Sequence, residues 1–165
     1  PEQISAANPM LVMLLVPLMS YVVYPGVAKL KGREFTPLQR MTVGMTLASI
    51  SFVIVALAQE RLDAGEAVHV TAQLAAYAVL TAGEVMVSVT GLEFAYTQAP
   101  RRMKALLMGF WMLTVSLGNM LVALLSGLGN LPRAQFFWIF AGLMLAASVL
   151  LGLRAAFYRY KTYVQ

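Results

Sequence analysis

GEVMVSVTGLEFAYTQAPRRMK, residues 83–104, places one carboxylate, Glu84, deep in an apolar run that ends at Pro100 and three cations. The run extends back to Thr71, so Glu84 falls near the middle of a helix long enough to cross a hydrocarbon core, which takes about 20 residues. A charge at mid-bilayer costs roughly 3 kcal/mol on insertion scales. Such a residue persists where it faces a cavity or a partner, which makes Glu84 the first candidate for a functional site. Arg101, Arg102 and Lys104 then hold the far end of the helix in the headgroup region.

The rest of the chain repeats that pattern. Sixty per cent of its residues are apolar and 12% charged, and the mean hydropathy is +0.75. These values belong to the membrane class. Five stretches, 8–27, 38–59, 71–98, 106–127 and 136–158, are long enough to span. Ten-residue alternating strands are absent, which excludes an outer-membrane barrel. The expected fold class is all-α: a polytopic helical membrane protein with five transmembrane helices in the lipid bilayer.

Charge orients it. Lys29, Lys31, Arg33, Arg40, Arg101, Arg102, Lys104, Arg154, Arg159 and Lys161 fall on one side, ten of the twelve Lys and Arg residues. Only Arg61 and Arg133 fall on the other. The basic side is the cytoplasmic one by the positive-inside rule, which places the C-terminus in the cytoplasm of a cell with this protein in its inner (plasma) membrane. The net charge of +5 is thus a topology signal and no sign of a nucleic-acid partner. An odd number of spans, and a start at Pro1 without initiator Met or signal peptide, leads to the expectation of a fragment, the C-terminal part of a larger transporter.

Absent chemistry narrows the function. Without cysteine there are no disulfides and no thiolate metal sites. The single His69 lies in a short acidic outer loop, ERLDAGEAVHV (60–70), where a solvated role is expected. No metal-ligand cluster, nucleophile–base pair or helix-borne His is present, so neither an enzyme nor a metal or cofactor protein is expected.

The wheel around Glu84 carries the remaining argument. Tyr77, Thr81 and Ser88 share its face at i−7, i−3 and i+4, and Gly91 at i+7 continues the stripe without bulk. Hydroxyls facing lipid gain nothing, so the stripe reads as a polar cavity wall. Glu93 stands nine residues on, half a turn away, near the basic end, where a cation or a neighbouring helix is its expected partner. A lone carboxylate in a membrane cavity can take up a proton, bind a cation, or link the two. Held by neighbouring helices, it could also be purely structural. Trp111 reads as an interfacial anchor or a pocket wall, with position favouring the anchor, and Trp138 as an outer anchor. Gly118, Gly142 and Ala146 suit close helix contacts. Pro9 and Pro17 each remove a backbone donor from the first helix, which is either kinked beside a cavity or simply tolerates them.

Four segments carry a resemblance: GEVMVSVTGLEFAYTQAP (83–100), FWMLTVSLGN (110–119), VPLMSYVVYP (16–25) and VGMTLASISFV (43–53). Together they resemble the proton-dependent oligopeptide transporter family of the major facilitator superfamily. The LEFAYTQAP run is specific, and the similarity covers essentially the whole chain. It implies that the five helices are the eighth to twelfth of a twelve-helix fold, part of its C-terminal six-helix bundle, with the N-terminal half and the seventh helix missing. It also implies proton-coupled symport of di- and tripeptides, with protons as the coupling ion and no cofactor. Carried over by position, Glu84 would receive the peptide amino terminus and Asn8 would hydrogen-bond the peptide backbone. Tyr77, Ser88 and Trp111 would line the same pocket, which reverses the anchor reading of Trp111. Ser20 departs from the pattern, since animal members carry an aspartate there that pairs with an arginine of the seventh helix. The short outer loop, lacking the animal insert, points to a bacterial protein. The competing expectations are another carrier of the superfamily, for nitrate or a different small solute, and a non-transporting membrane subunit.

Overall fold

Prolines shape the first span of the computed structural model, which describes residues 2–32, 34–127 and 132–158. Helix α1 (Glu2–Leu18) contains both Pro9 and Pro17, and directly after Pro17 the hydrogen-bond ladder widens into a π turn, Met19–Val23, before α2 (Tyr24–Lys31) resumes. Tyr24 N–H reaches back five residues to the Met19 carbonyl. A proline that cannot donate, followed by a π turn, is a recognised way of bending a helix without leaving buried groups unpaired. The span stops at Gly32, whose φ of 62° is a left-handed conformation that a side chain would disfavour.

Four longer helices follow: α3 (Pro37–Asp63), α4 (Val70–Thr97), α5 (Lys104–Gly127) and α6 (Arg133–Phe157). His69 closes the start of α4, its Nδ1 accepting from the Thr71 backbone, which gives this exposed residue a capping role. Five stretches, Pro9–Leu30 and the four long helices, are long and apolar enough to cross a membrane, as the hydropathy predicted. Arg33, Arg159, Lys161, most of the second outer loop (128–131) and the side chains of Asn8, Lys31 and Arg101 lie outside the described residues.

Helix α3 is the centre, with α4 packed along one side and α6 along the other. Its small hydroxyl residues tie the three together. Ser51 Oγ donates to the Ala76 carbonyl of α4 at 2.6 Å, and Ser49 Oγ to the Ala141 carbonyl of α6 at 2.8 Å. Ser148 of α6 meets Thr46 Oγ1 at 2.8 Å and donates to the Thr42 carbonyl at 3.0 Å. Between membrane helices, where burial of apolar surface drives nothing, such bonds contribute about 0.6 kcal/mol each. The α1–α2 span leans on α4 through a cluster of Met19, Tyr24, Phe35, Val85 and Met86. Helix α5 touches α4 and the turn before it, and buries none of its described side chains.

Side-chain contacts also join the helix ends. Trp138 Nε1 donates to Glu60 Oε1 at 2.8 Å, joining the start of α6 to the end of α3. At the opposite end, Tyr158 Oη lies 3.2 Å from Gln98 Oε1 and its ring packs on Phe94. One expectation is corrected. Gly118 and Gly142 face open space, with nothing within 4 Å of where a Cβ would stand. The close helix contact lies instead at Gly44 and Gly83.

Candidate functional site

Gly83 and Gly44 fix where Glu84 stands. Where α3 crosses α4, a Cβ on Gly83 would lie 2.6 Å from the Gly44 carbonyl oxygen and 3.1 Å from the Ala48 nitrogen. A Cβ on Gly44 would in turn lie 2.8 Å from the Gly83 oxygen. The two backbones therefore touch without side chains between them. One residue on, Glu84 is exposed and lines a cavity of about 340 Å³ with Ser88 and Trp111. Phe52, Leu80, Val87 and Met144 make the rest of that wall apolar.

The polar chemistry of this cavity is sparse. The Glu84 carboxylate has no hydrogen bond or ion pair among the described residues. No neighbouring helix among the described residues holds the carboxylate. Ser88 Oγ donates to the Glu84 carbonyl at 2.6 Å, a bond within its own helix that uses the hydroxyl proton and leaves the oxygen able to accept. An anionic group beside an acceptor oxygen and an indole face is suited to an ammonium group, which both the charge and the aromatic ring attract.

Trp111 is a pocket wall, and Gly91 seats it. A Cβ on Gly91 would come within 2.7 Å of the indole Cη2 and 3.1 Å of Cζ3. The missing bulk in the stripe is thus filled by the ring of the next helix. Gly91→Ala should therefore push the indole aside, at a cost of about 1–3 kcal/mol for overpacking. The same substitution should cost much less where Trp111 is already Ala. Thermal unfolding of the two single variants and the double variant measures that coupling. Additive effects would mean the ring and the glycine do not depend on each other.

The other expected site residues divide. Tyr77 is half-buried on α4 and does not line this cavity, although its carbonyl accepts from Thr81 Oγ1 at 2.9 Å. Thr81, grouped with Glu84 by helical spacing, is 1% exposed and turned into the helix packing. The Asn8 side chain lies outside the described residues. Glu93 forms no ion pair among the described residues; it lines a second cavity together with Arg40 and Glu34, where a cation partner had been expected. No group of His, Asp or Glu among the described residues could hold a metal ion.

Known proteins share this architecture. A sequence model of the family described as PTR2, POT family, matches residues 1–139. Solute carrier family 15 member 1 of Mus musculus is 45% identical over 94 residues, 56% of this chain and 13% of the relative. Solute carrier family 15 member 2 of Danio rerio is 42% identical over 93 residues, again 13% of the relative. The crystal structure of an auto-inhibited POT family peptide transporter superposes with a TM-score of 0.86 at 37% identity, covering 99% of this chain and 34% of that one. The POT family transporter PepTSo superposes at 0.83 with 38% identity, over 92% of this chain and 32% of that one. The match thus spans about one eighth of the curated relatives and one third of the solved transporters.

Proposed function

The chain belongs to the POT family, and from that membership we propose that it forms part of the C-terminal bundle of a proton-coupled carrier that moves di- and tripeptides into the cell. The five spans are helices eight to twelve of a twelve-helix fold, the remaining helices lying outside this sequence. The basic helix ends and the C-terminus face the cytoplasm of an inner (plasma) membrane. Protons are the coupling ion, and no cofactor takes part.

One observation carries the reading: a carboxylate, Glu84, without a partner among the described residues, at mid-helix in a cavity with Ser88 and Trp111. Peptides vary in their side chains and share a cationic amino terminus, a backbone and an anionic carboxyl end. A carrier that accepts many of them grips those shared parts. Glu84 takes the ammonium group, the Ser88 oxygen accepts one of its protons, and the Trp111 indole gives side chains an adaptable wall. Asn8 binds a backbone amide, and Tyr77, outside the cavity this bundle forms, joins the pocket only in the complete carrier. The carboxyl end is held by the other half of the carrier. Loss and gain of a proton at Glu84, alternating with peptide, couples the proton gradient to transport as the two halves rock around the site. A nitrate carrier would need a cation at the pocket, and the residues lining the Glu84 cavity include none.

The test is uptake of labelled dialanine by liposomes holding the full-length carrier, with and without an inward proton gradient. Uptake should depend on the gradient and be competed by trialanine but not by nitrate. Absence of dialanine uptake in vesicles of demonstrated competence would return the search to other solutes, leaving family and fold in place.

A further inference from the structure

A second and larger hollow, of about 600 Å³, lies among the π turn, α2, residues 34–37, the start of α3 and α4. Ser20, Tyr24, Glu34, Arg40, Thr90 and Glu93 form its polar wall. On α4 it takes Val85, Val89, Thr90 and Glu93, whereas the Glu84 cavity takes Leu80, Gly83, Glu84, Val87 and Ser88. The two hollows therefore open on different faces of one helix, the second one at its basic end.

Arg40 is held in place from behind. Its Nε donates to the Phe35 carbonyl at 2.8 Å, and its guanidinium carbon lies 4.3 Å from the centre of the Tyr24 ring. These contacts fix the side chain and leave its terminal nitrogens without a partner among the described residues. Neither Glu34 nor Glu93 pairs with it, although both line the same space. Thr90 is 2% exposed and has no hydrogen-bond partner among the described residues. No buried polar atom among those residues is left unsatisfied, so the Thr90 hydroxyl still reaches open space, and the space it lines is this cavity.

Arg40, half-buried and fixed, and Glu93, exposed, thus present opposite charges to one open hollow without meeting. A ligand bridging them carries both signs of charge with polar groups between. A volume of about 600 Å³ lies within the range of small-molecule sites, about 300–1,000 Å³. An extended dipeptide spans about 7 Å between its ends, long enough to reach from a carboxylate to a guanidinium that are not in contact. We propose that this cavity is a second station for a zwitterionic peptide, on the cytoplasmic side of the Glu84 site. Arg40 binds the peptide carboxylate, Glu93 the ammonium group, and Ser20 and Thr90 the backbone. A lone cation would leave Arg40 unmatched, and a lone anion would meet two carboxylates.

The inference rests on the peptide-carrier reading and its orientation, and sidedness separates the two. Right-side-out and inside-out vesicles with the full-length carrier give the half-saturating dialanine concentration for each face. Glu93→Gln should raise it about tenfold at the cytoplasmic face and leave the outer face unchanged. Glu93→Asp should restore part of the loss. Arg40→Gln should act on the same face, and the double variant should add little. A merely structural Glu93 would alter both faces alike, and that result, or an unchanged cytoplasmic value, overturns the second station while leaving the first site intact. Failure of the wild type to move dialanine from either face overturns both.

Discussion

Replacing Glu84 with Gln abolishes gradient-driven dialanine uptake by the full-length carrier, with expression, detergent extraction and thermal unfolding unchanged. The stability half of this expectation follows from the absence of any bond to the Glu84 carboxylate among the described residues. Gln is nearly isosteric, and no partner in this bundle is left orphaned by it. The transport half follows from charge. Removing one partner of a desolvated charge pair costs about 2–5 kcal/mol, and each 1.4 kcal/mol is about a factor of ten in affinity. A loss of about thirtyfold to several thousandfold is therefore the scale. Gln also carries no exchangeable charge, so any residual peptide movement should no longer respond to the proton gradient. Glu84→Asp keeps the charge and withdraws it by one methylene, and should sit between the two, still gradient-dependent but weaker. Gradient-driven uptake by the Gln variant within a factor of two of wild type would remove Glu84 from the centre of the mechanism.

How far the sequence foretold this arrangement depends on what kind of information each feature needs. The spans needed only hydropathy summed over about 20 residues, and all five emerged within a few residues of the helix ends. Glu84 needed only its depth in a span. Ser88 and Trp111 both line the cavity with Glu84, whereas Tyr77, grouped with them by resemblance, does not. Thr81 failed because an offset of three residues turns a side chain by 60°, enough to move it from a cavity edge into the packing against a neighbouring helix. Gly118 and Gly142 failed because a small residue permits a close contact without requiring one. A usable signal for the real crossing was present: Gly44 and Ala48 on α3 are small residues four apart. Thr42, Thr46 and Ser49 likewise share a face by spacing, and that face meets α6. The π turn had only Pro17 as a hint. The second cavity assembles from the first span, residues 34–36, α3 and α4, and nothing in linear spacing announces it.

The Gly44–Gly83 crossing supplies the second large effect. Gly83→Ala should lower the thermal midpoint of the full-length carrier by several degrees and weaken dialanine uptake. The added methyl on Gly83 meets the Gly44 carbonyl oxygen at 2.6 Å, and the methyl on Gly44 meets the Gly83 oxygen and Met86 Cβ at 2.8 Å. These are backbone and stem atoms that cannot rotate away, so α3 and α4 must separate. Overpacking of this kind costs about 1–3 kcal/mol, and separation also strains the Ser51–Ala76 bond at the same interface. Because Glu84 follows Gly83 directly, the displacement carries the carboxylate away from Ala48 and Phe52 on the α3 wall of the cavity, and binding suffers beyond what lost stability explains. Gly44→Ala should act alike from the other helix. With both glycines changed, the loss should fall short of the sum, since the first methyl has already opened the gap that the second would need. A Gly83→Ala carrier as stable and as active as wild type would show that the helices part without cost, and the crossing would no longer explain where Glu84 stands.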